Sequence, residues 1–385
     1  MPVDLRFREF NALKIWHHAD RLKSLAAGLD VAPITVEVDL VAFCNHHCFW
    51  CVDPYHFPMA ASRDFLCQLL DDLASFRVNG YSIQGLVFKG GGEQTLHPDF
   101  CELLEKAHAL GFEIGVVTNG SRLLQADLAE ALNRWASYVR ISIDGPTQET
   151  HHRIHCTYDF YEIISGIEKL ISLRQGRHPI VGLSFAMDHA MLAWIPEAIN
   201  LGDRIGVDYV LIRPPFFEEV GCKSTMSPAQ AAELRQALLA ATKAYPGPMD
   251  VFIGNWVGDA EAEQDDHVDA GTAPSGRRDH HLRSDHPIEH RLGKCWASPL
   301  LAVISADGQV YGCCNLRFLK EWSFGQLDYE RSITLATIWN GEQRHRISER
   351  MGMTQCIAHC THPMTRYNEI IEVLRDKDKF HSGFV

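Results

Sequence analysis

For most of its first 250 residues the chain alternates short apolar runs with amphipathic stretches. Ile34-Thr35-Val36-Glu37-Val38-Asp39-Leu40 alternates apolar and polar residues, as a strand with one buried face does. Leu86-Val87-Phe88-Lys89 is a shorter run with the character of a buried strand. Further β-type runs occur at Phe112–Val117, Tyr138–Ile143, Ile180–Ala186 and Tyr209–Ile212. Between them, Leu124–Trp135, Phe160–Arg174 and Trp194–Arg204 carry helical spacing. Six strands separated by helices predict an α/β fold with a parallel sheet and right-handed crossovers. Ser227-Pro228 then predicts a helix through Ala229–Ala244, with a serine N-cap and proline at the first helical position.

The pattern breaks from about Gly258 to Leu292, a stretch rich in Asp, Glu, His, Gly and Arg and poor in apolar residues. Such a stretch buries too little surface to order itself and reads as a solvated insertion or lid, although its histidines also offer metal ligands. Beyond it, Leu301–Tyr311 predicts a hairpin with an Asp307-Gly308 turn. The expected organisation is an N-terminal helical extension over 1–33, a strand–helix domain over 34–257, a linker or insertion over 258–293 and an appendage over 294–385.

At 385 residues and 46% hydrophobic, the chain can bury a full core. Its net charge of −13 argues against nucleic acid, which needs clustered Lys and Arg. The first 30 residues lack an apolar signal region and no run of 18 apolar residues occurs, so a cytoplasmic protein without a membrane partner is expected. In a reducing compartment its 12 cysteines point to metal ligation rather than disulfides.

Three of those cysteines lie in Cys44-Asn45-His46-His47-Cys48-Phe49-Trp50-Cys51, on the loop leaving the first predicted strand. Three thiolates from one loop can hold three corners of a four-iron cluster and leave one iron open for a ligand. A zinc knuckle or a chance cluster of buried thiols is the alternative. After the second strand comes Gly90-Gly91-Gly92-Glu93, a turn whose glycines let backbone approach a ligand and whose carboxylate can meet a cation.

The cysteine spacing, with Trp50 before the last cysteine and the glycine turn about 40 residues on, resembles the radical S-adenosylmethionine (SAM) superfamily. The resemblance implies a partial (β/α)6 barrel, a 4Fe-4S cluster on Cys44, Cys48 and Cys51, and SAM on its open iron. Gly91, Gly92 and Glu93 would grip the methionine amino group, with Trp50 beside the cluster. Asn119, Ser142, Asp144 and Arg213 fall at strand C-termini, where turn or cap residues are also common. Of these, the resemblance points to Asn119, Ser142 and Arg213 as cofactor contacts.

Cysteines return at Cys295, Cys313, Cys356 and Cys360. Alone they suit structural zinc as well as iron–sulfur. Their spacing resembles the SPASM and Twitch appendages of the same superfamily, which implies an auxiliary 4Fe-4S cluster. Seven cysteines make a full SPASM appendage. The middle CxxC is missing here, which makes the pattern Twitch-like with one cluster. Cys314 is an alternative to Cys313 as ligand.

The two resemblances imply an enzyme that cleaves SAM reductively and abstracts hydrogen from substrate, fed by an electron donor such as flavodoxin or ferredoxin. The first expectation is oxidation of an alcohol in a small polar metabolite (a sugar, aminocyclitol or sugar nucleotide), with the auxiliary cluster as electron acceptor. The second is epimerisation with Cys156 or Cys222 returning a hydrogen atom. Peptide modification is the third; the 43 residues before Cys44 are too few for a leader-peptide-binding domain. A non-catalytic electron carrier or zinc-stabilised binding protein is the alternative from another class, and the Gly90–Glu93 turn argues against it.

Overall fold

The computed structural model describes residues 12–49, 51, 57–176, 178–215, 226–254, 294–352 and 362–375. Trp50, Cys222, Cys356, Cys360 and the 258–293 segment lie outside the described residues. The expected N-terminal helical extension is helical over Ala12–Ala26, ending in α1 (Ala19–Ala26).

The first half of the chain then runs β1 (Thr35–Val38), α2 (Arg63–Ser75), a small β2 (Arg77–Val78) and β3 (Tyr81–Ser82) hairpin, β4 (Gly85–Phe88) and α3 (Phe100–Ala109). It continues through β5 (Glu113–Thr118), α4 (Ala126–Trp135), β6 (Tyr138–Ser142), α5 (Gln148–His155) and α6 (Phe160–Leu173). Next come β7 (Ile180–Ala186), α7 (Ile195–Ile205), β8 (Tyr209–Arg213), α8 (Pro228–Ala244) and β9 (Asp250–Ile253). The C-terminal part contributes β10 (Leu301–Ile304), β11 (Gln309–Tyr311), β12 (Gly325–Gln326), α9 (Leu335–Trp339), α10 (Glu342–Arg350) and α11 (His362–Arg375).

All six strands expected from the sequence form, and they lie side by side in parallel. The Ser227 N-cap forms as expected: its hydroxyl accepts from Gln230 N at 3.2 Å while Gln230 Oε1 accepts from Ser227 N at 2.9 Å. Two features go beyond the sequence pattern. The short β9 adds a seventh parallel strand beyond β8. The hairpin expected over 301–311 does form, but β10 pairs in parallel with β1, so one ten-stranded sheet runs β12-β11-β10-β1-β4-β5-β6-β7-β8-β9. Pairing with β10 covers the backbone edge that β1 would otherwise expose.

Alternation divides each strand between two environments. One face (Val36, Val38, Leu86, Phe88, Ile114, Val116) is buried in the main core beneath the helices. The opposite face carries Glu37, Lys89, Tyr138, Arg140 and Ser142. Two glycines make room on that face. A Cβ on Gly115 would stand 2.2 Å from the Tyr138 ring, and one on Gly182 would stand 2.1 Å from the Tyr209 ring. Each tyrosine is the register partner of its glycine on the neighbouring strand, so the rings lie flat across the inner face. A second core joins the two ends of the chain: Ile15, Leu22 and Leu25 pack with Leu300, Tyr367 and Ile371. No helix among the described residues is long and apolar enough to cross a membrane.

Candidate active site

The cysteine loop begins where β1 ends, and the turn after β4 holds it. Gln94 reaches across to do so: its Oε1 accepts from the backbone N–H groups of Leu40 and Val41, and its Nε2 donates to Gly92 O at 3.0 Å. Glu93 N donates to Phe43 O at 2.9 Å. Gly92 is required by this approach, because a Cβ there would lie 2.3 Å from Phe43 O. The two elements that the sequence singled out are thus one backbone-bonded unit.

Cys44, Cys48 and Cys51 are half-buried on this loop. Cys44 Sγ accepts from His46 N at 3.4 Å and from Asn119 Nδ2 at 3.7 Å. Burial pushes the Cys44 thiol up to about 11 and Cys48 well above its ordinary value. Thiols that burial keeps neutral become ligands when a metal supplies the compensating charge. Three sulfurs on one loop, with N–H groups aimed at one of them, fit a cluster that takes three protein thiolates.

Behind the loop lies a buried imidazole group that sequence reasoning missed. His155 Nδ1 lies 3.3 Å from Cys48 Sγ and 2.9 Å from His46 Nδ1. His155 Nε2 contacts Asp144 Oδ2 at 3.0 Å, and Asp144 Oδ1 accepts from Ala186 N at 2.6 Å. His46 Nε2 and His151 Nε2 contact the two oxygens of Asp159, at 2.9 and 3.2 Å. Burial raises the Asp159 carboxyl, but the two histidines and Thr157 outweigh it and hold the group well below the carboxylate range. For Asp144 the same opposition ends the same way, with His155 the main partner. Ligand atoms of the three histidines lie within 4.8 Å of one another. Each ring is nonetheless already engaged by a carboxylate, so the group is a hydrogen-bonded brace for Cys48. The only sequence signal was His46 inside the cysteine run.

The remaining predicted residues divide. Glu93 is buried, and four donors already occupy its carboxylate. Oε1 accepts from Thr95 N, Thr95 Oγ1 and Thr118 Oγ1 at 3.1, 2.6 and 2.7 Å, and Oε2 accepts from Asn119 N at 2.6 Å. Only Oε2 has room for another donor. Asn119 spends its amide on Asn45 Oδ1 (2.8 Å) and Ser121 N (3.0 Å), so it ties the end of β5 to the cysteine loop. Gly91 N donates to Asp39 Oδ2 at 3.3 Å. Ser142 and Arg213 are half-buried at the ends of β6 and β8, and Arg213 helps hold the Asp144 carboxyl down. Cys156 is exposed and left-handed (φ 58°) at the C-terminal end of α5.

Replacing Glu93 by alanine strands these buried donors, at about 1–3 kcal/mol each. The variant should lose SAM affinity by about 10- to 100-fold and also melt at lower temperature, because a charged acceptor is worth about 1.5–3 kcal/mol. Calorimetric titration with SAM and a thermal melt check both arms; unchanged affinity would remove Glu93 from the cofactor site.

In the C-terminal part, Cys295 N donates to Met351 O at 2.8 Å, and Cys295 Sγ accepts from Asn368 Nδ2 at 3.6 Å. Gly312, just before Cys313, packs so closely on Met351 that a Cβ would lie 3.2 Å from its sulfur. Cys295 and Gly312, the residue before Cys313, therefore both approach Met351, which stands five positions before Cys356 in the sequence. Cys314 lies within electrostatic range of Glu37, Lys89 and Arg317. Its hydrogen bond with Cys313 chiefly brings the thiol down to about 7.

Residues 38–192 match the Radical SAM superfamily, and residues 295–361 match SPASM, an iron-sulfur cluster-binding domain. The chain belongs to the radical SAM superfamily and carries a SPASM domain. These domains imply a 4Fe-4S cluster with SAM, and auxiliary iron–sulfur. Among curated relatives, the radical SAM chain is 28% identical to mycofactocin maturase MftC of Mycobacterium tuberculosis over 202 residues, covering 50% of this chain and 47% of that protein. It is 25% identical to a tungsten-containing aldehyde ferredoxin oxidoreductase cofactor-modifying protein of Pyrococcus furiosus over 186 residues, covering 46% and 49%. The matches span about half the length of these curated relatives. Streptococcus suis SuiB bound to S-adenosylmethionine shares the fold at TM-score 0.64 and 13% identity, covering 94% of this chain and 78% of that one. The anSMEcpe structure with bound AdoMet and a Cp18Cys peptide aligns at TM-score 0.58 and 16% identity, covering 91% and 98%.

Proposed function

We propose that this radical SAM enzyme matures a peptide precursor, removing a hydrogen atom from it and oxidising the resulting radical with an auxiliary cluster. The observation that carries the radical chemistry is the bonded unit of cysteine loop and Gly-Gly-Glu turn, in which Phe43 O, Glu93, Gln94 and Asn119 fix Cys44 against the strand ends. When bound, the loop cluster and SAM supply one electron and a 5′-deoxyadenosyl radical, which takes the hydrogen atom. The chain's own residues hold and shield. Cys44, Cys48 and Cys51 ligate the cluster, Glu93 and its neighbours shape the methionine subsite, and His155 braces Cys48.

Peptide maturation takes precedence over oxidation of a free metabolite because the named relatives include a maturase and a cofactor-modifying protein. The shared fold with SuiB says nothing by itself about substrate. In this reading Cys295, Cys313, Cys356 and Cys360 hold the auxiliary cluster. The test is anaerobic reconstitution, then SAM, reductant and candidate precursor peptides, with chromatography for 5′-deoxyadenosine and mass spectrometry of the peptide. A peptide product two mass units lighter, formed with 5′-deoxyadenosine, is expected. Turnover of sugars or aminocyclitols with no change in any peptide would overturn the reading.

A further inference from the structure

The inner face of the sheet holds charges that the SAM chemistry does not use. Lys89 Nζ lies 2.6 Å from Glu37 Oε1. Arg317, which enters from the C-terminal part, places NH2 3.2 Å from Glu37 Oε2 and Nε 3.1 Å from Asp39 Oδ2. Arg140 on β6 is the third cation, within electrostatic range of both Glu37 and Lys89. Its buried Nε has no hydrogen-bond partner, and no ion pair holds its guanidinium among the described residues. An Nε–H buried in this way without an acceptor is costly unless something else supplies one.

The charges do not cancel. Three cations face two carboxylates and the Cys314 thiol. Burial, working against Arg317, pushes Asp39 up to about 7, which removes part of its negative charge near neutrality. Burial also raises Glu37, but Lys89 and Arg317 outweigh it and keep that carboxylate ionised. A net positive layer inside a chain of net charge −13 draws anions inward, since low-dielectric walls focus the field. Lys89, Arg140, Tyr138 and Ser142 are half-buried, so this inner face is reached by solvent. Tyr138 and Tyr209, lying across Gly115 and Gly182, line it from the strand starts.

We propose that this layer binds a carboxylate carried by the substrate, with the Arg140 guanidinium as the open fork that receives it. The inference rests on the proposed function and names a chemical feature of its substrate. An excess of about one positive charge suits a monoanion; a phosphate dianion would leave the layer negative. Arg140 lies two residues below Ser142 at the mouth, about 7 Å along the strand. The carboxylate is thereby held deep while the carbon that loses hydrogen stays near the cysteine loop.

The test uses anaerobically prepared, SAM-loaded holoenzyme in calorimetric titrations with N-acetylglycine, N-acetylglycinamide and inorganic phosphate. The acid should bind at least tenfold more tightly than the amide, and more tightly than phosphate. R140A should lose at least tenfold in affinity for the acid, and R140K should bind the acid more tightly than R140A but less tightly than wild type, since lysine keeps the charge and loses the fork. Equal affinity for acid and amide, a preference for phosphate, unchanged binding in R140A, or no binding by any probe would each overturn the proposal. If R140A does not fold, the acid-against-amide comparison in the wild type still decides. Formation of 5′-deoxyadenosine by the wild type is read separately. Its absence beside normal acid binding would sink the radical-enzyme reading and leave the carboxylate site standing.

Discussion

Replacing any one of Cys44, Cys48 and Cys51 by alanine is expected to abolish 5′-deoxyadenosine formation outright, not merely slow it. A three-thiolate site has no spare ligand, and Cys156, a further cysteine in electrostatic range of Cys48 besides Cys44 and Cys51, sits exposed at the end of α5. Each variant should lose about four iron atoms per chain and keep the iron of the C-terminal site. Folding should survive, because the Gln94 clamp and the Glu93 to Phe43 bond hold the loop's base without using any sulfur. Iron analysis and anaerobic assay of the three variants read the outcome directly. Full SAM cleavage in any of them would remove that cysteine from the cluster.

The strands were legible because one face of each packs beneath helices and so carries an uninterrupted apolar register. The same alternation hid the inner face. Glu37 and Asp39 read as the solvent side of a half-buried strand, and a barrel interior lined with charge has the same period. Only the fold distinguishes them, by bringing Lys89, Arg140 and Arg317 to the same face from positions up to 280 residues away. The seventh strand, β9, was not read from the sequence, and the parallel pairing of β10 with β1 is a non-local contact that no local signal encodes.

At the site, the sequence revealed residues whose spacing is local: the three cysteines and the glycine turn. It did not reveal how they are joined. Gln94 comes directly after Glu93 and looks like an ordinary turn residue, yet it holds the backbone at the start of the cysteine loop. Glu93 looked free to meet a cation, and the fold instead surrounds it with the nearby Thr95 and with Thr118 and Asn119, whose positions become neighbours only when β5 lies beside β4. The His155–Asp144 pair needs β6, β7 and α5 to converge.

The auxiliary site should separate from the loop site under mutation. Cys295→Ala and Cys313→Ala are each expected to lose the C-terminal iron, about four atoms per chain, while 5′-deoxyadenosine formation persists. The motivating geometry is the approach of Cys295 and of Gly312, the residue before Cys313, to Met351, which shortly precedes Cys356 and Cys360 in the sequence. Cys314→Ala should keep both clusters, because its thiol lies in range of Glu37, Lys89 and Arg317 on the inner face. Iron analysis with electron paramagnetic resonance checks all three variants; loss of C-terminal iron in Cys314→Ala but not Cys313→Ala would exchange the two roles. The same variants decide the fate of the substrate radical. If the auxiliary cluster takes the second electron, the Cys313 variant should form the lighter, oxidised product at least tenfold more slowly while still consuming SAM. Turnover in heavy water supplies the opposite test. A thiol returning hydrogen would leave one deuterium in a product otherwise of unchanged mass, and that result would overturn oxidation in favour of epimerisation.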